Sequence, residues 1–313
     1  MQNKYEKLFS SLLYMELQKI ELGEYSADYK LYMYRIDLIH PEISGNKWFK
    51  MKYNIAEAME KGYETVLTFG GAYSNHIHAT AAAGKILGFK TIGIIRGERY
   101  SPLNPTLQSA ADNGMEIHYL DRKTYRHRNK EVFIENIKNQ FPGAYILPEG
   151  GSNKFAVKGC SEIPDSIHIP FDYICSAVGT GGTISGIISG LKGNENALGF
   201  SALKNGRFLN EEVNNFLINS AVQSYKNWSI ITDYHFGGYA KITLELVDFI
   251  TRFEKINNIP LDYIYTAKMM FGIFDLIRTG FFRKGSTIIA IHTGGLQGNA
   301  GMKYKIEKVM KQT

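Results

Sequence analysis

Three short apolar runs in this chain each empty into a pair of glycines. Thr65-Val66-Leu67-Thr68-Phe69 leads into Gly70-Gly71, Phe171 to Val178 into Gly179-Thr180-Gly181-Gly182, and Ser286 to Ile291 into His292-Thr293-Gly294-Gly295. Nearly continuous apolar runs of this length are the mark of strands buried on both faces. Between them lie further strand patterns at 91–95, 116–120, 145–147 and 228–233, alternating with helical patterns at 77–87, 106–113, 131–139 and 242–255. Strands and helices in alternation give parallel sheets with helices on both faces, an α/β fold. In such folds ligands gather at the C-terminal ends of strands, where these glycine turns stand. A short helix and a strand over Lys30 to Leu38 precede the series, and Leu261 to Met269 enters a helix ending near Gly280. Residues 192–223 show no regular pattern. At 313 residues the chain has room for about two domains. Pro148-Glu149-Gly150-Gly151-Ser152-Asn153 reads as the hinge between two units.

Three of the turns carry chemistry. In Ser44-Gly45-Asn46-Lys47 a lysine stands at the mouth of a helix whose apolar positions Met51, Ile55, Ala58 and Met59 recur at helical spacing. The positive end of the helix dipole opposes an ammonium there, so the pKa of Lys47 is expected to be lowered and its amine available as a nucleophile or base. Alone, the pattern also reads as a surface lysine beside an Asn cap. Ser74 and Asn75 fall at an N-cap behind Gly70-Gly71, which makes either an anion site or simply a well-capped helix. The loop Gly179-Thr180-Gly181-Gly182-Thr183 can wrap backbone N–H groups around a phosphate, with two threonine hydroxyls as extra donors. It is not a P-loop, because no Gly-Lys-Ser/Thr follows, and Ile184 occupies the third glycine position of a dinucleotide fingerprint. Tyr239, between Gly237-Gly238 and a helix, is placed either to face a cleft or to pack.

The net charge of +6 mildly favours anionic ligands but is spread along the chain, so nucleic acid is not an expected partner. The densest basic run, Arg122 to Lys130, reads as a solvated helix start. Cys160 and Cys175 are the only cysteines, without metal-ligand spacing, which suits a reducing compartment and no metal. Met1 to Leu22 lacks the apolar core of a signal peptide, and no run approaches a membrane span. A cytoplasmic protein without membrane contact is expected.

Taken together, Ser44-Gly45-Asn46-Lys47, Gly70-Gly71 with Ser74-Asn75-His76, Gly179 to Thr183, Tyr265-Thr266-Ala267-Lys268 and His292-Thr293-Gly294-Gly295 resemble the motif set of the fold-type II pyridoxal-phosphate enzymes. The likeness is nearest to 1-aminocyclopropane-1-carboxylate deaminase and D-cysteine desulfhydrase, and runs in order from about Arg35 to Gly295. It implies two open twisted sheets with helices on both faces, as in the tryptophan synthase beta-like fold. The small α/β domain would span 50–150, and the large cofactor-binding domain would combine 1–49 with 151–313. A homodimer and a small amino-acid substrate are implied as well.

The resemblance also implies roles. Lys47 matches the lysine that holds pyridoxal 5'-phosphate through its amine and later moves the Cα proton. Asn75 matches the residue on the cofactor's phenolic oxygen, and Ser74 one near the substrate carboxylate. Gly179, Thr180, Gly181, Gly182 and Thr183 match the phosphate cup. Thr293 matches a hydroxyl facing the pyridine nitrogen, Tyr265 the aromatic residue against the ring, and Tyr239 a second tyrosine of the pocket. True cyclopropane deaminases resemble one another in a glutamate where this chain has Thr266 and a leucine where it has Thr293. A hydroxyl does not keep the pyridine nitrogen protonated, so the electron sink is weaker and suits elimination of a good leaving group. The expected reaction is therefore a PLP-dependent lyase step, D-cysteine or a β-substituted D-amino acid giving pyruvate, ammonia and sulfide. Deamination of 1-aminocyclopropane-1-carboxylate, or a silent cofactor-binding sensor, are the alternatives. Tyr73, Tyr63 and Tyr263 depart from the family pattern and bear on the substrate.

Overall fold

The computed structural model describes residues 1–9, 15–99, 101–223 and 225–311; residues 10–14 of the N-terminal stretch read above lie outside them. Among the described residues ten strands run in chain order: β1 Leu17–Lys19, β2 Lys30–Tyr34, β3 Thr65–Gly71, β4 Lys90–Arg96, β5 Met115–Leu120, β6 Ala144–Leu147, β7 Tyr173–Val178, β8 Asn196–Ser201, β9 Trp228–Ile231 and β10 Thr287–Ile291. They form a six-stranded sheet in the order β1-β2-β10-β7-β8-β9 and a four-stranded sheet in the order β5-β4-β3-β6. All pairings are parallel except that of β1 with β2.

Both strand orders reverse once, and the two reversals position the site. In the small sheet the chain moves outward through β4 and β5 and returns to the other side of β3 as β6. In the large sheet it moves outward through β8 and β9 and returns as β10 on the other side of β7. A crevice opens at each reversal, beyond the strands' C-terminal ends. The turns there are Ala72 to Ser74, after β3 has continued through the Gly70-Gly71 pair, and Pro148 to Ser152 from one sheet, and Gly179 to Thr183 and His292 to Gly295 from the other.

Side-chain alternation buries both faces of each sheet. In the small one, Leu67 and Phe69 join Ile94, Tyr125 and Ile137 on one side, while Ile95 and Met115 meet Ile77, Ala81 and Leu107 on the other. Leu31, Met33, Cys175 and Leu198 of the large sheet pack on the helices Leu244–Asn257 and Thr266–Arg278. Helix Asn46–Glu60 sends Trp48, Phe49, Met51 and Ile55 into the opposite core. Both cysteines are buried and free. Among the described residues no helix is long and apolar enough to cross a membrane.

Several expectations need correction. Residues 192–223 hold a central strand, β8, and a helix, Leu209–Asn219. Leu17–Lys19 is an edge strand for which the sequence reading had no counterpart. The strand expected over 30–38 stops at Tyr34, because the Arg35 guanidinium turns back onto Asp37 through two bonds of 2.9 and 2.8 Å and closes a 3-10 turn over Ile36–Leu38. Helix Lys154–Cys160 was not anticipated. The basic run at 122–130 is not simply solvated: Tyr125 is buried beneath Arg96 and Arg128, and Arg128 pairs with Glu149.

Candidate active site

The four turns enclose a cleft of about 760 Å³, within the range of small-molecule sites. Lys47 enters it from the first turn of helix Asn46–Glu60. That helix begins where it does because Gly45 takes φ +63°, a conformation other side chains rarely adopt, and because the Thr293 carbonyl fills the place where a Cβ would go. The Asn46 N–H then donates to Thr293 O over 3.3 Å, and the Ser44 hydroxyl to Asp37 O over 2.9 Å. The lysine turn is thus built onto the turn that ends β10.

The amine of Lys47 donates to Asn46 Oδ1 over 3.0 Å, and Asn46 Nδ2 donates to Thr183 Oγ1 over 2.7 Å. Its pKa is pushed down to about 7, first by burial and then by the neighbouring Lys50 charge, with Asp262 acting in the opposite direction. The direction matches the expectation from the sequence, but burial leads where the helix dipole was expected to. Near neutral pH a large share of Lys47 is a free amine, the form that condenses with an aldehyde or accepts a proton.

The glycine loop after β7 forms a cradle. Gly179, Thr180, Gly181 and Thr183 line the cleft, Gly181 turns with φ +84°, and no side chain caps the helix Gly182–Leu191 that follows. Its first-turn N–H groups are left for an anion. Gly182 lies just behind the wall, where a Cβ would stand 2.7 Å from Ser152 Oγ and 3.4 Å from Lys50 Nζ. Lys50 is a functional candidate that the sequence reading missed. It is 2% exposed, and its Nζ donates to Gly150 O over 3.0 Å and to Ser152 Oγ over 2.9 Å, with no ion pair to a carboxylate among the described residues. Burial pushes its pKa down to about 8. A buried cation, two bridged hydroxyls, Ser152 and Thr180 at 2.6 Å, and free helix N–H groups make a site suited to a phosphate dianion. The available signal in the sequence was spacing, since Lys50 follows Lys47 by three residues and shares its helix face.

Across the cleft, Ser74 caps helix Asn75–Leu87, its hydroxyl accepting from the N–H groups of His76 and Ile77. Ser74 and Asn75 both line the cleft, as do Tyr239, Tyr265 and Thr293. Tyr239 and Tyr265 stand edge to face with centroids 6.0 Å apart, and a Cβ on Gly179 would lie 3.0 Å from the Tyr265 ring. Burial raises the pKa of both phenols, so they remain neutral donors. Thr266 is fully buried and its hydroxyl has no hydrogen-bond partner. Tyr73, 40% exposed, lines the cleft mouth. Two histidines near the cleft are held by hydrogen bonds: His76 Nε2 lies 2.7 Å from Thr68 Oγ1, and His292 Nε2 2.8 Å from Pro260 O.

These residues fit pyridoxal phosphate in kind and arrangement: a depressed lysine amine, a cationic phosphate cradle, a capped helix for a carboxylate and an aromatic wall. Comparison with known proteins agrees. The family described as "Pyridoxal-phosphate dependent enzyme" matches residues 20–294. A Pyrococcus horikoshii protein described as "Putative 1-aminocyclopropane-1-carboxylate deaminase" is 32% identical over 280 residues, 86% of this chain and 85% of that one. The Arabidopsis thaliana "Bifunctional D-cysteine desulfhydrase/1-aminocyclopropane-1-carboxylate deaminase, mitochondrial" is 28% identical over 296 residues, 86% of this chain and 73% of that one. A crystal structure described as an "ACC deaminase homologue" superposes with a TM-score of 0.83 at 27% identity, covering 99% of this chain and 100% of that one. The chain belongs to the fold-type II pyridoxal-phosphate dependent enzymes, in the family of 1-aminocyclopropane-1-carboxylate deaminase and D-cysteine desulfhydrase, and its cofactor is pyridoxal phosphate.

Proposed function

We propose that this lyase catalyses β-elimination on D-cysteine or a related β-substituted D-amino acid, giving pyruvate, ammonia and sulfide. The observation that carries the reading is at Thr266: where the cyclopropane deaminases carry a glutamate, this chain has a fully buried hydroxyl without a hydrogen-bond partner, while Thr293, in place of their leucine, lines the cleft. When bound, pyridoxal phosphate supplies an electron sink for the charge left at Cα. A sink without a protonated pyridine nitrogen is weak, and a thiolate leaves readily where a cyclopropane bond does not open.

The chain's own residues account for the rest. The positive end of the helix that Ser74 caps faces the substrate carboxylate, and Lys50 with the Gly179 to Thr183 loop anchors the phosphate. The Lys47 amine takes the Cα proton. Tyr239 and Tyr265, kept neutral by burial, donate toward the leaving sulfur. Release of sulfide and pyruvate from D-cysteine but not L-cysteine is the expected result. Turnover of 1-aminocyclopropane-1-carboxylate without sulfide release would replace this reading with that of the deaminase named among the relatives. The same resemblance underlies two further proposals, a homodimer testable by sedimentation, and a small domain of residues 50–150, whose ends limited proteolysis would locate.

A further inference from the structure

Asp262 is a fully buried carboxyl that the reaction above does not use. Its Oδ1 accepts from the backbone N–H groups of Ile264 at 3.2 Å and Tyr265 at 2.5 Å, which caps the entry to helix Thr266–Arg278. Its Oδ2 has no hydrogen-bond partner. A bare acceptor in a dry interior costs on the order of 1–3 kcal/mol unless it serves something. What it faces is shown by Gly295: a Cβ there would collide with Asn75 Nδ2 and stand 3.0 Å from Asp262 Oδ2. The missing side chain leaves the carboxylate and the Asn75 amide nitrogen converging on one small space.

The other end of the same amide is held by Gln297. Its Nε2 donates to Asn75 Oδ1 while its Oε1 accepts from the Thr106 hydroxyl over 2.7 Å. Two residues on, Asn299 brackets Asp262: its Oδ1 accepts from Tyr263 N over 3.0 Å and its Nδ2 donates to Leu261 O over 2.8 Å. Gly295, Gln297 and Asn299 thus hold the carboxylate and the carboxamide in fixed relation. Asn75 meets the Gln297 N–H at its oxygen, while its nitrogen faces Asp262 Oδ2 across the space Gly295 leaves open; burial raises the Asp262 pKa to about 7, so it is the ionised share of this carboxyl that favours an N–H, rather than an oxygen, opposite it.

We propose that Gln297 and Asp262 are positioning residues that fix the flip of the Asn75 carboxamide, so that its N–H side, and not its oxygen, is presented to the cofactor's phenolic oxygen. This rests on the reading that Asn75 meets the cofactor. Cofactor-loaded Gln297→Glu, Gln297→Met and Asp262→Asn proteins would be compared for the absorption maximum of the bound cofactor, cofactor retained after dialysis, and melting temperature. Gln297→Glu sets an acceptor against Asn75 Oδ1 and favours the wrong flip. Gln297→Met removes the same donor without that conflict. Asp262→Asn keeps the cap oxygen but turns a donor toward Asn75 Nδ2.

The expected result is a displaced maximum and about tenfold weaker retention in Gln297→Glu and Asp262→Asn, as for loss of one hydrogen bond to a charged group, with a smaller change in Gln297→Met. Purely structural roles would make the two Gln297 variants alike and Asp262→Asn spectrally silent, and that outcome overturns the proposal. Should Asp262→Asn fail to fold, the Gln297 pair decides. An Asn75→Ala protein with unchanged band and retention would instead show that Asn75 is not at the cofactor, which refutes the underlying reading separately.

Discussion

Lys47 and Thr183 are joined through one carboxamide: Asn46 accepts from the Lys47 amine at 3.0 Å and donates to the Thr183 hydroxyl at 2.7 Å. The amine proposed to carry the cofactor and the loop proposed to hold its phosphate are therefore set relative to each other by a single side chain. Asn46→Asp places a carboxylate beside the amine and raises its pKa. The pH at which added pyridoxal phosphate is captured, followed by the growth of its visible band, should move upward by about one unit. Asn46→Leu should keep the wild-type pH but lower kcat about tenfold through lost alignment.

Lys47 is costly to the empty fold. Its pKa near 7 in the folded chain lies far below the ordinary lysine value of 10.5, so between those values the unfolded chain binds more protons. Stability of the cofactor-free protein should accordingly rise with pH from about 7 to about 10.5, and the penalty is complete below that window. Lys47→Met removes the penalty. At neutral pH the cofactor-free variant should be more stable than wild type by about 1–3 kcal/mol in denaturant titration, a figure that allows for the side chain's opening onto the cleft. In the presence of pyridoxal phosphate it should show no covalent band.

Substitution of Lys50 should separate phosphate binding from the chemistry. Lys50→Met should weaken cofactor retention about tenfold to a hundredfold, by loss of a charge-assisted contact. The Lys47-dependent band should still form at saturating cofactor. Equilibrium dialysis together with the spectrum checks both halves.

Tyr73 lies over Gly301, where an added Cβ would come within 2.5 Å of the ring. Gly301→Ala should push the ring from its place at the cleft mouth and raise KM about threefold to tenfold with little change in kcat, as for loss of a contact that serves binding alone. Steady-state kinetics on D-cysteine measures this, and Tyr73→Gln should relieve it in the Gly301→Ala background.

What could be read from the sequence was local. The apolar runs and the Ser74 cap depend on neighbours in the chain, and the structure has them where the sequence pattern put them. The missed parts depend on distant partners: Asn46 reaches Thr183 across 137 residues and Gln297 reaches Asn75 across 222. Strand β8 was missed for a packing reason. Gly199 in its centre reads as a breaker, yet a Cβ there would lie 2.6 Å from Ile230 and 2.8 Å from Val178. Helix Leu209–Asn219 buries only Leu209, Val213 and Leu217, a stripe too narrow to stand out among its four asparagines.

The most direct measurement is the visible spectrum of the purified wild-type protein and of Lys47→Ala, followed by assay of D-cysteine, L-cysteine and 1-aminocyclopropane-1-carboxylate for pyruvate and sulfide. The expected result is a visible band in the wild type alone, with pyruvate and sulfide released together from D-cysteine and from neither of the others. A band that persists in Lys47→Ala, or pyruvate formed only from the cyclopropane substrate, would contradict it.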